Sequence, residues 1–134
     1  MRINDKIKEI EKYLEELSEI VPSSLDVYLK DFKTKAACER YAEKIIEAVV
    51  DLAFIFIKER KLKKPEDDYE AFEILKNNKI ISKELLEKFK DAKGMRNFLA
   101  HRYGEINNKI IFNAVSKELE KDTEEFIKII RQQI

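Results

Sequence analysis

Thr34 to Leu62 reads TKAACERYAEKIIEAVVDLAFIFIKERKL, an unbroken stretch without glycine or proline. Ala37, Tyr41, Ile45, Ala48, Leu52 and Ile55 recur every three or four residues, which is the spacing of one face of an α-helix. Towards its end the stripe broadens into AVVDLAFIFI, Ala48 to Ile57, apolar almost all round. A helix with apolar groups on most of its circumference has to be enclosed by other helices. The segment therefore predicts the central, most buried helix of an all-α protein.

The flanking sequence supplies the packing partners. Before it, Ile3, Ile7, Ile10, Leu14, Leu17 and Val21 form one stripe on a helix over about Asn4 to Ile20. Pro22 stops that helix, because the residue before a proline avoids the helical region. Ser23 or Ser24 can cap a short turn through Leu25, Tyr28 and Leu29. After the long helix, Pro65 ends a loop. Asp67 with Glu70 resembles a capping box that opens a helix from Asp68 to Lys76, closed by Asn77 and Asn78. Ser82 caps the next helix, which runs to Gly104, a natural residue beyond a helix end. A last helix covers about Asn108 to Arg131, with Ile110, Ala114, Leu119, Phe126 and Ile130 facing inward. The expectation is a four-to-five-helix antiparallel up-and-down bundle, a single domain over residues 1–134 with neither internal repeat nor linker.

At 134 residues a domain buries roughly two-thirds of the surface of its unfolded chain and needs neither disulfide nor metal to fold. The lone Cys38 fits a reducing cytosol. The N-terminus is charged throughout, unlike a signal peptide. The longest apolar run is interrupted by Asp51 and falls short of the roughly 20 residues of a membrane helix. These features predict a cytoplasmic protein without a membrane span. The 27 basic and 27 acidic residues cancel, which argues against a broad cationic face for duplex nucleic acid. Locally the balance differs. Ala92 to Gly104 holds Lys93, Arg96 and Arg102 and no acid, and Lys58 to Lys64 holds five cations against Glu59. The second patch reads either as a solvated loop or as a contact for an anionic substrate or acidic partner.

The only histidine, His101, lies between the only glycines, Gly94 and Gly104, in a cluster with Arg96, Asn97 and Tyr103. Arginine offers a planar fork of donors for phosphate oxygens. Imidazole exchanges protons near neutral pH. An RNA phosphodiester needs little more: a base for the 2′-hydroxyl, a cation for charge developing at phosphorus, and an acid for the leaving 5′-oxygen. No metal ligand set is evident in the sequence. On an ideal helix Asn97 and His101 share a face, whereas Arg96 and His101 point roughly 140° apart. Arg96 reaches across, or Gly94 loosens the helix, or a second subunit completes the site. A single histidine at a helix end also has a plainer reading, as a cap or a satisfied core residue.

Glu39, Glu43, Glu47 and Asp51 form an acidic ladder at four-residue spacing. No Glu-x-x-His pair completes it as a di-iron site. Asp51 lies in the most apolar part of the chain, where a carboxylate is costly unless paired. One reading turns Glu47 and Asp51 to solvent or to a structural arginine such as Arg40. The other places Asp51 near the Arg96/His101 cleft, where it orients a cation.

Arg96-Asn97 followed by His101-x-Tyr103, at the end of the penultimate long helix, resembles the Arg-x4-His-x-Tyr signature of HEPN-domain toxins. From about Ile3 to Ile130 the chain is similar to the HepT-like (DUF86) family. The similarity includes Arg40, Glu47 and Asp51, the Pro65/Tyr69/Phe72/Leu75 segment, and Met95-Arg96-Asn97 before Leu99 and His101. The resemblance implies a HEPN-like bundle and a metal-independent endoribonuclease that acts as a homodimer, with Arg96 and His101 as the active-site pair near the dimer interface. It also implies a minimal, MntA-like nucleotidyltransferase antitoxin as partner, which transfers AMP from ATP to Tyr103. The toxin itself then needs no cofactor. Bulky anionic nucleotides beside Arg96 would repel an anionic RNA. The roles expected are Arg96 for phosphate and transition-state charge, His101 for acid–base work and Asn97 for orientation, with Asp51 and Glu47 in support. Two rivals stand beside this: a non-catalytic nucleotide- or partner-binding subunit supporting a nucleotidyltransferase, and a helical dimerisation module.

Overall fold

Local signals open three of the helices where the sequence indicates. In the computed structural model, which describes residues 2–101 and 107–134, the elements are α1 (Arg2–Ile20), α2 (Leu25–Lys30), α3 (Phe32–Glu59), α4 (Asp68–Asn77) and α5 (Lys83–His101). There follow α6 (Asn108–Asn113), a π-helical turn over Ala114–Glu118, and α7 (Leu119–Gln133). The Ser24 hydroxyl accepts from the Val27 N–H, the Asp67 carboxylate from Glu70 and the Ser82 hydroxyl from Leu85. Each satisfies an amide that the first helical turn leaves without a partner. Glu70 reaches back to the Glu66 N–H, completing a box-like cap on α4. Two helices end on lysines in the left-handed region, Lys61 at φ 56° and Lys79 at φ 62°. The following amides then fold back, Leu62 onto the Ile57 carbonyl and Ile80 onto Leu75. That closure usually recruits glycine, so the sequence does not announce it.

α3 is the axis of the bundle. Ile45, Ala48, Leu52, Phe56 and seven other apolar residues on it are buried, together with Glu39. α1 covers one side with Ile3, Ile7, Ile10, Leu14 and Leu17, all buried. Burying such a side chain stabilises the fold by about 1.5–3 kcal/mol. α1 runs antiparallel to α3: Lys6 meets Asp51 and Tyr13 meets Tyr41. α4 and α5 are antiparallel too, with Lys90 on Glu73 and Lys93 on Asp68. Phe72, Phe89 and Phe126 lock α4, α5 and α7 together with ring centroids 4.9–6.5 Å apart. Among the described residues the architecture is all-helical, and no helix is long and apolar enough to cross a membrane.

The last helix departs from the sequence expectation. Ile110 is 58% exposed rather than inward, and Ile111 and Val115 are buried in its place, while Leu119, Phe126 and Ile130 are buried as expected. The π turn explains the change. Four-residue steps drift about 40° per step on an α-helix, and the wider π turn absorbs that drift. The buried face then continues through Thr123 and Ile127.

Candidate active site

α5 carries Lys90, Lys93 and Arg96 at three-residue spacing, and each is fastened to another helix. Lys90 and Lys93 bind α4, Lys93 at 2.7 Å from Asp68. Arg96 turns instead to α3, its Nη2 3.5 Å from Oε1 of Glu47. One turn on, buried Leu99 anchors the end of the helix to the core. The guanidinium is mostly covered, and its Nε is buried with no acceptor among the described residues. A guanidinium has five N–H donors, so a single contact with Glu47 leaves a fork available to an anionic ligand.

His101 is the last residue of α5 and is exposed. Asn97 lies one turn before it, half-buried. α5 is continuous from Lys83 to His101, so Gly94 does not loosen it, and Arg96 and His101 keep the angular separation of an ideal helix, roughly 140°. The structure brings Arg96 together with Glu47, not with His101. Gly94 itself is exposed, and a Cβ added there meets nothing within 4 Å among the described residues. Tyr103 and Gly104 lie outside the described residues.

Asp51 lies one turn from Glu47 on α3 but does not meet Arg96 itself. Its carboxylate is 57% exposed and its partner is Lys6 of α1 at 3.4 Å, not Arg96. Lys6 also holds Glu9 at 2.7 Å. The reason is the antiparallel approach of α1, which brings Lys6 over the α3 face one turn beyond Glu47. Arg40 is no partner of Asp51 or Glu47 either; it pairs with Glu43 at 3.5 Å. The acidic ladder is thereby broken into four separate pairs, because Glu39 turns inward and meets Lys35 at 3.1 Å. Among the described residues no three His, Cys, Asp or Glu side chains gather as a metal site. Lys6 is the residue the sequence reading missed. Its signal was the antiparallel order of α1 and α3, which sets the start of one helix beside the end of the other.

Over residues 10–130 the chain matches the family described as Ribonuclease HepT-like. It is 30% identical over 119 residues to the tRNA nuclease HepT of Aphanizomenon flos-aquae, spanning 89% of this chain and 81% of that protein. It is 26% identical over 129 residues to the mRNA nuclease HepT of Shewanella oneidensis, spanning 96% of each. Among solved structures, the tri-AMPylated Shewanella oneidensis HEPN toxin in complex with MNT antitoxin superposes with a TM-score of 0.89 at 26% identity, over 97% of this chain and 96% of that one. A toxin–antitoxin crystal structure with AMP-PNP gives 0.86 at 26% identity, over 97% of each chain.

Proposed function

This chain belongs to the HepT-like ribonuclease family, and on that footing we propose that it is the toxin of a toxin–antitoxin pair, a metal-independent endoribonuclease of the cytoplasm that acts as a homodimer. The observation that carries the reading is the placement of Arg96, a mostly covered guanidinium held by Glu47, on the helix that ends in exposed His101.

The chemistry follows from the two groups. His101 accepts the proton of the 2′-hydroxyl, whose oxygen attacks the adjacent phosphorus. The bond to the 5′-oxygen breaks as that oxygen takes a proton from imidazolium His101, leaving a 2′,3′-cyclic phosphate and a free 5′-hydroxyl. Arg96 balances the charge that develops on the phosphoryl oxygens, where a preorganised cation is most effective. Asn97 orients the imidazole or the phosphate. Two symmetric copies of α5 supply what one straight helix lacks, because His101 of one copy can face the Arg96 fork of the other across a shared cleft. Gly94 supports this. A helix-interior glycine costs about 1 kcal/mol relative to alanine, and among the described residues no close approach requires it. An open glycine on the His101 face lets a second helix approach closely.

The partner is a nucleotidyltransferase antitoxin that transfers AMP from ATP to Tyr103, two residues beyond His101. The tri-AMPylated state of the Shewanella oneidensis HEPN toxin supports that assignment. Incubation of the purified protein with total RNA tests the whole reading. Cleavage is expected to survive EDTA, to vanish in His101→Ala, and to stop once the peptide containing Tyr103 gains AMP by mass. Cleavage that EDTA abolishes, or that persists in His101→Ala, would overturn it.

A further inference from the structure

The cationic run from Lys58 to Lys64 has a place in the fold that the reaction above does not use. Where α3 ends beside the start of α1, Phe54, Ile55, Leu62 and Pro65 floor a cavity of about 410 Å³, and Arg2, Lys58 and Lys64 stand around it. The three cations are exposed, and none has a carboxylate within 4 Å among the described residues. Neighbouring Lys63, by contrast, is paired with Glu70. An apolar floor with a few charged groups at its edge is the usual build of a small-ligand pocket. Here the ligand would have a flat or apolar body and a negative charge.

The pocket lines up with the catalytic side of the bundle. On α3, Glu47, Asp51, Ile55 and Lys58 fall within about 80° of one another, on one face. Glu47 holds Arg96, Asp51 holds Lys6, and Ile55 and Lys58 line the cavity. Arg2 lies one turn before Lys6 on α1. Of the two acids on the path, Glu47 is engaged by Arg96 and Asp51 by Lys6, which Glu9 shares, and Arg2, Lys58 and Lys64 bring three cations to the pocket end. From Glu47 to Lys58 the helix rises about 16 Å, a span that a few nucleotides cover. A single concave pocket also suits one base better than a helical peptide, which needs a groove for anchors three and four residues apart.

We propose that this pocket is an RNA-binding exosite: it takes one base of the substrate a few nucleotides from the scissile bond, while Arg2, Lys58 and Lys64 hold the flanking phosphates. The proposal rests on the ribonuclease reading for its substrate, and its test separates the two. Binding of a fluorescent single-stranded 12-mer RNA is measured by anisotropy on His101→Ala protein, with and without Arg2→Gln, Lys58→Gln and Lys64→Gln together. The triple change is expected to weaken binding at least fivefold and to lower the salt slope by up to about 2, near 0.7 per cation lost for a single strand. With His101 intact it should raise KM for the 12-mer and leave kcat and dinucleotide cleavage unchanged. A control triple, Lys12→Gln, Lys76→Gln and Lys128→Gln, should do none of this. Equal loss in the control would reduce the effect to net charge and overturn the exosite, as would unchanged RNA affinity with weakened binding to an acidic antitoxin surface. RNA binding that depends on the three cations, in a protein that cleaves no RNA, would keep the exosite and overturn the ribonuclease reading.

Discussion

Arg96 on α5 and Glu47 on α3 are 3.5 Å apart, and the carboxylate is the more exposed of the two, 53% against 23%. A half-exposed ion pair contributes under about 1 kcal/mol to stability. Its value lies in where it holds the guanidinium. Glu47→Gln is therefore expected to leave the melting midpoint almost unchanged and to lower kcat for RNA cleavage about tenfold, since small misplacements of a reacting group are costly. Asp51→Asn, which releases Lys6 rather than Arg96, should change kcat less than twofold. Equal effects of the two substitutions would show that the Glu47 contact does not position Arg96.

Gly94 gives opposite signs for the monomer and the dimer. Gly94→Ala should raise the stability of the isolated fold by about 1 kcal/mol, because the new methyl meets open space and the helix gains propensity. Gly94→Leu should weaken self-association, read by sedimentation velocity, and lower cleavage in proportion to the dimer lost. A fully dimeric and active Gly94→Leu protein would remove glycine from the proposed interface.

Cys38 is fully buried, and burial pushes its thiol up to about 11, with Glu39 adding to the rise. The folded state thus keeps the proton longer than the unfolded chain, whose thiol ionises near 9. Stability from this group is intact below pH 9 and is lost as pH rises from 9 through about 11. Denaturant midpoints should fall across that alkaline window. The native protein should resist thiol reagents at pH 8 and react at once when unfolded.

Thr123 is fully buried, and its hydroxyl finds no hydrogen-bond partner among the described residues. It borders a void of about 10 Å³ with Ile46, Val49, Phe72, Phe89, Ala92 and Leu119. One polar group cannot hold a water there. Thr123→Val replaces the hydroxyl with a methyl of the same shape and should stabilise the fold by about 1 kcal/mol. A urea midpoint that rises without any change in RNA cleavage is the expected result.

Much of the fold was legible because helices are built from local interactions. The caps at Ser24, Asp67 and Ser82 act over three residues, and the stripe from Ile3 to Leu17 repeats within a turn. The candidate site was legible as a set of residue types: Arg96, Asn97 and His101 can be named from their chemistry alone. Their partners could not. That Arg96 meets Glu47, and Asp51 meets Lys6, depends on how antiparallel helices slide past one another, a distance of many residues along the chain.

The all-helical architecture and the order of the helices were readable from the sequence, as was a candidate set of residues whose chemistry suits a phosphate and a proton. Those properties reside in hydrogen bonds and spacings a turn apart. Only the tertiary structure decided that Ile111 rather than Ile110 faces the core, that Glu39 is buried against Lys35, and that Arg2 joins Lys58 and Lys64 around one pocket. Each of these turns on helix register, through the π turn or the meeting of distant helix ends. Register is set by the packing of whole helices against α3, which no short stretch of sequence contains.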